Sequence, residues 1–549
     1  MTRRIYINRR RFLAGSAGAM GAAYFGRSPL EAMAQETSPA DQEWDAGLVR
    51  HILPTVSDSR ILLKVSFDRP LSEAPTLRIG TSAFSGKMSD ATGEYWQFHA
   101  GQLQPGRPYT LALQDSAGQS LCEPWPLATF PAPEANPERV RILFFTCAGG
   151  TSGTYEGIGQ REAFLPASIR NRLLRRALSF QPDAAVANGD HIYWDLHTWQ
   201  GENAGQLSEA GRVSNFDFSA SALGGSNESA IKAAAGPQIV PVYGCDFRST
   251  PVFFLQDDHD HWENDAVTDD FASYPIQWFQ LQLARATQQL YYPEFLPDPR
   301  RPAGLPWSSA GDRGDVSESF GTIRFGQLAE VLLYDVRRTM NLAGPNAVFV
   351  DHQVERWLTD RTRSTEVRHL VHTPSNPFGW SAGKWGEWYP DILDPESGTL
   401  TTSIDKPYWQ EGWLRQHDRL AAALSAQTKR VPLVISGDLH AIGTGRFSRA
   451  GALDLQSNPV TAVLSGPIST SEFGFPSVVR GIRATPSAHL DLEEMVPPVE
   501  DHGFTLIDFL QDRIVLRQFA WDVDREPLDA IDRLEPFYTT ELEPVATEA

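Results

Sequence analysis

The chemistry-bearing residues of this chain collect in four short clusters. The first is Phe145-Thr146-Cys147-Ala148-Gly149-Gly150 and the second is Asn188-Gly189-Asp190-His191-Ile192-Tyr193. The third is Gln256-Asp257-Asp258-His259-Asp260-His261, with Glu263, Asn264 and Asp265 close behind. The fourth is Ser436-Gly437-Asp438-Leu439-His440. Together they supply a thiol, a phenol, several carboxylates and several imidazoles. Carboxylates gathered within a few ångströms repel one another and resist ionisation. A polyvalent cation removes that repulsion. Thiolate, phenolate, carboxylate and imidazole donors suit a transition metal such as iron, and a carboxylate-rich set suits a harder ion. Two metals about 3.5–4 Å apart are a standard device for phosphoester hydrolysis.

Each cluster directly follows a short apolar run, at residues 140–146, 184–187, 252–255 and 431–435. Such runs fit buried strands, as do 329–334 and 370–371. Residues 163–180 predict a helix, with Leu165, Ile169, Leu173, Leu174, Ala177 and Leu178 on one face. Further helices are expected over 353–362 and 417–427, and a hairpin over 504–509 and 514–519. Strands alternating with helices indicate an α/β domain, whose strands present their carboxyl ends along one edge where ligands bind. Four distant clusters can therefore meet there.

Before this region, residues 45–132 read as all-β, with alternation in Ile61-Leu62-Leu63-Lys64-Val65-Ser66-Phe67 and Tyr95-Trp96-Gln97-Phe98-His99. The stretch from Leu103 to Leu111 resembles the turn before strand F of a fibronectin type III sandwich, where a Tyr hydroxyl bonds back to the turn. Residues 131–137 are Pro-rich and read as a linker. Two segments, 201–237 and the Trp-rich 376–413, lack periodicity and read as insertions. Trp380, Trp385, Trp388, Trp409 and Trp413 fit core or pocket-wall packing, with a carbohydrate platform as the alternative.

The chain has 549 residues and a net charge of −20, which opposes a nucleic-acid-coating role. Three cysteines, Cys122, Cys147 and Cys245, rule out a disulfide framework. The N-terminus carries Asn8-Arg9-Arg10-Arg11-Phe12-Leu13-Ala14, then an uncharged stretch from Gly15 to Gly26, then the small-x-small site Ala32-Met33-Ala34. This resembles a twin-arginine export signal over 1–34. That segment holds six Arg and one Glu, a net of +5, leaving −20 − 5 = −25 for the rest. The expected location is periplasmic or secreted, with no membrane anchor after cleavage.

In order and type, the clusters Cys / Gly-Asp-x-x-Tyr / Asp-Asp-His-Asp / Gly-Asp-x-His resemble the alkaline phosphatase D (PhoD-like) branch of the calcineurin-like metallophosphoesterases. The resemblance extends to Ser319-Phe320-Gly321-Thr322-Ile323-Arg324-Phe325-Gly326, Leu333-Tyr334-Asp335-Val336-Arg337, Trp409-Gln410-Glu411-Gly412-Trp413 and His502-Gly503-Phe504-Thr505-Leu506-Ile507-Asp508. It implies a catalytic domain over 138–549 built on two stacked mixed β-sheets flanked by helices. An immunoglobulin/fibronectin III-like all-β domain over 35–137 would precede it. It further implies an exported phosphatase or phosphodiesterase using a two-metal centre and a metal-bound hydroxide. Cys147, Asp190, Tyr193 and His440 would hold ferric iron. Asp190, Asp258 and Asp438 would hold a second ion, calcium or another divalent. His259 would serve the leaving group, while Arg337 and Asn264 would contact substrate; for Arg337 the alternative is structural, a pair of Arg337 or Arg338 with Asp335 or Glu263. The partners expected are a phosphate ester and the twin-arginine export machinery.

The chain departs from the wider superfamily, which opens with Asp-x-His and closes with Gly-His-x-His. Gln256 stands where the family has Trp, and Asn264-Asp265 where it has paired Asn. His372 is a candidate for the mid-chain metal His, or a satisfied core histidine. Competing readings are a phospholipase D-like phosphodiesterase and a non-enzymatic envelope binding protein. A cysteine hydrolase is a further reading, with Cys147 as nucleophile and His259 or His440 as base; it leaves Asp190, Asp258 and Asp438 without a role. A folded exported protein forms under reducing conditions. Mass spectrometry of non-reduced peptides should therefore find Cys122, Cys147 and Cys245 all as thiols; a disulfide at Cys147 would contradict the metal reading.

Overall fold

The computed structural model describes residues 44–151, 154–155, 161–162, 164–194, 216–261, 276–298, 302–311, 313–341, 343–381, 392–393, 400–401, 410–471, 474–479 and 483–544. Residues 1–34, read as an export signal, and Asn264, Trp385, Trp388 and Trp409 lie outside them. No helix of the described residues is long and apolar enough to cross a membrane.

Eight short strands open the described chain. Val49–Val56, Ile61–Phe67, Tyr95–Ala100 and Lys87–Met88 form one antiparallel sheet; Ser82–Ser85, Thr76–Ile79, Pro108–Gln114 and Trp125–Ala128 form another. The backbone N–H of Gln104 donates to the Tyr109 hydroxyl at 2.8 Å, the bond expected of that turn. The apolar core here does not stop at the Pro-rich stretch. Ile52, Leu63 and Phe98 share one continuous cluster with Ile142, Phe144 and Val331 of the strands that follow.

Those strands are β1 (Arg139–Phe145), β2 (Ala184–Asn188), β3 (Val252–Leu255), β4 (Phe320–Phe325), β5 (Ala329–Tyr334), β6 (His369–Pro374), β7 (Leu433–Ser436), β8 (Ile442–Ala450), β9 (Val460–Ser465), β10 (Leu490–Val499), β11 (His502–Leu510), β12 (Ile514–Trp521) and β13 (Tyr538–Leu542). One sheet runs β3-β2-β1-β11-β12-β13. The other runs β4-β5-β6-β7-β9-β8, with β10 also paired to β8. Strands β1, β2 and β3 are mutually parallel, as are β5, β6, β7 and β9; the added strands are antiparallel, so both sheets are mixed. Alternation assigns the faces. Ile142, Phe144 and Val186 meet Val371, Leu433 and Val463 between the sheets. Leu143, Phe145 and Ala187 pack outward on helices α1 (Ala167–Leu178), α2 (Ser226–Tyr243) and α3 (Trp278–Tyr291). Tyr334, Val434 and Leu464 pack on α4 (His352–Arg363) and α5 (Glu411–Ser425). The layers are helix, sheet, sheet, helix.

Helix α2 falls in the segment read as an unpatterned insertion. It is buried on nearly all sides, so it shows no apolar stripe, and it contains Pro237 and Pro241. Trp380 and Trp413 are buried, their indole N–H groups donating to Glu494 and Val348 at 2.9 Å, so these two serve packing. Cys122, Cys147 and Cys245 are free thiols.

A largely buried ionic chain ties the first sheet to the α/β body. The Lys64 ammonium lies 3.0 Å from Glu294, and Arg313 pairs with both Glu294 and Glu318. Arg338 links Glu318 at 2.9 Å to Asp335 at 3.0 Å. Burial opposes ionisation of Glu294, but Lys64 and Arg313 outweigh it and hold its carboxyl below the ordinary range. Lys64→Met removes one partner while Arg313 still covers Glu294. It should cost stability at the lower end of the roughly 3–5 kcal/mol typical of breaking a buried pair, read by denaturant unfolding. A change below about 0.5 kcal/mol, that of an ordinary surface substitution, would contradict this role.

Candidate metal centre

The four clusters lie where β1, β2, β3 and β7 end. Backbone conformation marks the place. Among the described residues seven non-glycine residues have positive φ, and four of them are Cys147 (51°), Asp190 (61°), Asp438 (69°) and His440 (47°). Each such residue costs roughly 1–3 kcal/mol and persists only where the surroundings over-determine it. The motif glycines allow the loops to approach. A Cβ on Gly189 would stand 2.5 Å from the Cβ of Asp257, and one on Gly437 would stand 2.5 Å from the carbonyl oxygen of Asn188. The Thr146 hydroxyl donates to that same carbonyl at 2.6 Å, joining the first two loops.

Three sets of donor atoms result, each with its members within 4.8 Å of one another: Cys147, Asp190 and His440; Asp190, Asp258 and His259; Asp190, Asp257, Asp258 and Asp438. Asp190 belongs to all three. Its Oδ2 lies 3.2 Å from the Cys147 sulfur and accepts from the Tyr193 hydroxyl at 3.4 Å. Tyr193 also lies 3.2 Å from Nε2 of His440, whose Nδ1 faces the Gly474 carbonyl at 3.0 Å. That contact orients the ring with Nε2 towards the cluster. The His259 ring lies against Tyr193, tilted by 38°, with centroids 4.1 Å apart.

Burial sets the electrostatics. It holds the Asp190 carboxyl well above the ordinary range, with the Asp258 charge adding to it. It raises the Cys147 thiol and the Tyr193 phenol likewise, each helped by Asp190. Asp257 is also raised by burial, against the pull of Arg337. Asp190 Oδ1 and Asp257 Oδ2 are buried with no hydrogen-bond partner. A cluster of acids held out of ionisation, with orphaned oxygens on two of them, fits bound cations: metal coordination supplies the charge and the missing partner. The thiol–phenol–imidazole side suits iron, and the all-carboxylate side suits a harder divalent ion.

Two buried groups hold this arrangement from behind. Asp260 accepts backbone N–H bonds from Asp190 and Asp257 on one oxygen, at 2.8 and 2.9 Å, and from His191 and Ile192 on the other, at 2.9 Å each. Burial pushes its carboxyl up to about 7, against those four bonds. Asp335 accepts from the Arg337 backbone at 2.8 Å and pairs with His261 at 3.2 Å.

The structure brings Cys147, Asp190, Tyr193, Asp258, His259, Asp438 and His440 together. Arg337, expected at the substrate, is fully buried with its guanidinium on carboxylates: Nε on Asp257, and Nη2 at 3.3 Å from Asp438. His372 lies away from the cluster, between Thr362 at 2.8 Å and Tyr334 at 3.2 Å, and burial depresses its pKa to about 3; it is a core histidine. Asn264 is outside the described residues. Sequence reading gave no role to Asp257 or Asp260, although both lie in the third motif. The doubled Asp was a signal for the first; nothing local identified the second as a backbone clamp.

The chain matches no protein-family model and no curated protein. It is similar in structure to PhoD, with a TM-score of 0.56 and 13% identity over 93% of this chain and 94% of PhoD. It is also similar to a purple acid phosphatase from yellow lupin seeds, with a TM-score of 0.49 and 11% identity over 90% of this chain and 74% of that one. The likeness to PhoD extends over nearly both full lengths, so the two share a fold.

Asp260→Ala should free the amides of Asp190, His191, Ile192 and Asp257. Hydrogen exchange read by mass spectrometry should show uptake there rising at least about tenfold, the equivalent of about 1.4 kcal/mol. Unchanged exchange at these amides would remove Asp260 from the scaffold.

Proposed function

We propose that this chain is an exported metal-dependent phosphoester hydrolase, acting on phosphate mono- or diesters as an alkaline phosphatase D-like enzyme. The observation that carries the reading is Asp190: a buried carboxylate common to three donor sets, at the strand ends of a PhoD fold. Cys147, Asp190, Tyr193 and His440 would hold ferric iron; Asp190, Asp257, Asp258 and Asp438 would hold calcium or another divalent ion. When bound, the ions act as Lewis acids that draw electron density from phosphoryl oxygens and acidify water. The twin-arginine pattern over 1–34 supports loading in the cytosol and work in the periplasm or outside the cell.

This chain's own residues would divide the remaining tasks. Asp190 joins the two halves of the site. His259 is buried beside the cluster, 5% exposed, with its backbone N–H on Asp258 at 3.0 Å. An imidazole there can give its proton to a departing alkoxide near neutral pH. Phe164 and His259 lie on the Tyr193 ring, with centroids at 4.6 and 4.1 Å, and keep bulk water from the phenol.

A cysteine nucleophile fits poorly. Reactive thiols have depressed pKa values in electropositive, partly exposed sites. Cys147 is fully buried beside a carboxylate, and its thiol is raised. Trp380 and Trp413 lie in the core and do not contribute to a binding platform.

Chelation should abolish phosphoester hydrolysis, and iron with a divalent ion should restore it. Activity that survives complete metal removal would contradict the proposal. His259→Asn should retain the metals and slow turnover by roughly 10²–10⁴-fold for esters with poor leaving groups. Esters with good leaving groups need little protonation and should be slowed least. Equal slowing across a leaving-group series would show that His259 positions phosphate instead.

A further inference from the structure

The carboxylate side of the centre contains a permanent cation. Arg337 follows β5, and its side chain is fully buried. Its Nε contacts Asp257, its Nη2 lies 3.3 Å from Asp438 and 3.7 Å from Asp258, and its backbone N–H is fixed on Asp335 at 2.8 Å. Guanidinium does not lose its proton in proteins. The charge of this side is therefore set before any ion arrives. Asp257, Asp258 and Asp438 contribute three negative charges when ionised, and Arg337 cancels one. The thiol side offers the anions of Cys147, Asp190 and Tyr193, beside the donor His440. With the shared Asp190 counted once, on the thiol side, that side presents three negative charges and the carboxylate side two.

We infer that the Arg337–Asp257 pair is the charge-selectivity determinant of the second ion site, matching it to a divalent cation and turning trivalent ions away. This rests on the metal reading proposed above. Arg337 acts as a positioning and charge-setting residue: it holds Asp257 and lies against Asp438 and Asp258 without being itself a ligand. Removing its charge leaves three uncompensated carboxylates, a set suited to a trivalent ion. Lysine retains the charge but loses the planar fork.

The test is equilibrium dialysis of the mature iron-loaded protein against calcium and terbium(III), with bound ions counted by mass spectrometry. Arg337→Met should raise the bound terbium-to-calcium ratio at least about tenfold, since a unit charge at this range acts strongly in a buried site. Arg337→Lys should keep the wild-type ratio to within about threefold. An unchanged ratio in Arg337→Met overturns the inference while leaving the metal centre intact. A wild-type protein that keeps its iron but binds neither calcium nor terbium overturns the second-ion part of the metal reading, and one that holds no iron overturns that reading itself. If Arg337→Met does not fold, Asp257→Asn decides. With Arg337 retained it leaves a single net negative charge and should weaken both ions, terbium more than calcium. Undiminished binding of both ions in Asp257→Asn would also overturn the inference.

Discussion

Like-charge repulsion at Asp190 is the constraint around which the α/β body is arranged. This carboxylate is wholly buried, with a thiol at 3.2 Å on one side and the carboxylates of Asp257, Asp258 and Asp438 on the other. Such a cluster cannot ionise by itself in a low-dielectric interior. The molecule meets this in three ways. Arg337 supplies one fixed positive charge. Asp260 and Asp335 anchor the loops through backbone N–H groups and lie behind the donor atoms rather than among them. The remaining negative charge is what bound cations would neutralise.

Holding the donors at this separation requires strain, and strain requires support. Four donor residues sit at positive φ, each without the freedom of glycine. Their loops are bonded to one another as well as to their own strands: Thr146 to Asn188, Asp260 to Asp190 and Asp257, and Asn188 to Pro374 at 3.0 Å. The parallel strands beneath are buried on both faces. A rigid platform of this kind lets loops from residues 147 and 438, far apart in the chain, be placed to within ångströms. The ionic chain from Lys64 to Asp335 extends that rigidity into the first sheet.

Much of this was readable in the residues, for a physical reason. Polar clusters behind apolar strands can only emerge at the strand ends, so Cys147, Asp190, Asp258 and Asp438 were expected together. The functions of Asp257 and Asp260 were not readable, and that of Arg337 was left between a phosphate contact and a structural ion pair. Neighbouring residues in a tight loop point in different directions, and a sequence does not tell which carboxylate faces the cavity and which faces backbone amides. Arg337 looked like a phosphate contact because an arginine at a strand end serves either purpose; only burial separates them. Helix α2 was missed because a helix buried on all sides lacks the periodicity that betrays an amphipathic one. The Pro-rich stretch looked like a linker, but Ala135 accepts the Gln327 amide at 2.7 Å and the core continues beneath it.

The most direct measurement of the central claim is metal content per chain in the wild type and in Asp190→Asn, determined on protein exported from its host. A carboxylate shared between both halves of one centre predicts two ions in the wild type and loss of both in the variant, since neither half keeps its full donor set. Retention of both ions by Asp190→Asn, or loss of one alone, would contradict the account.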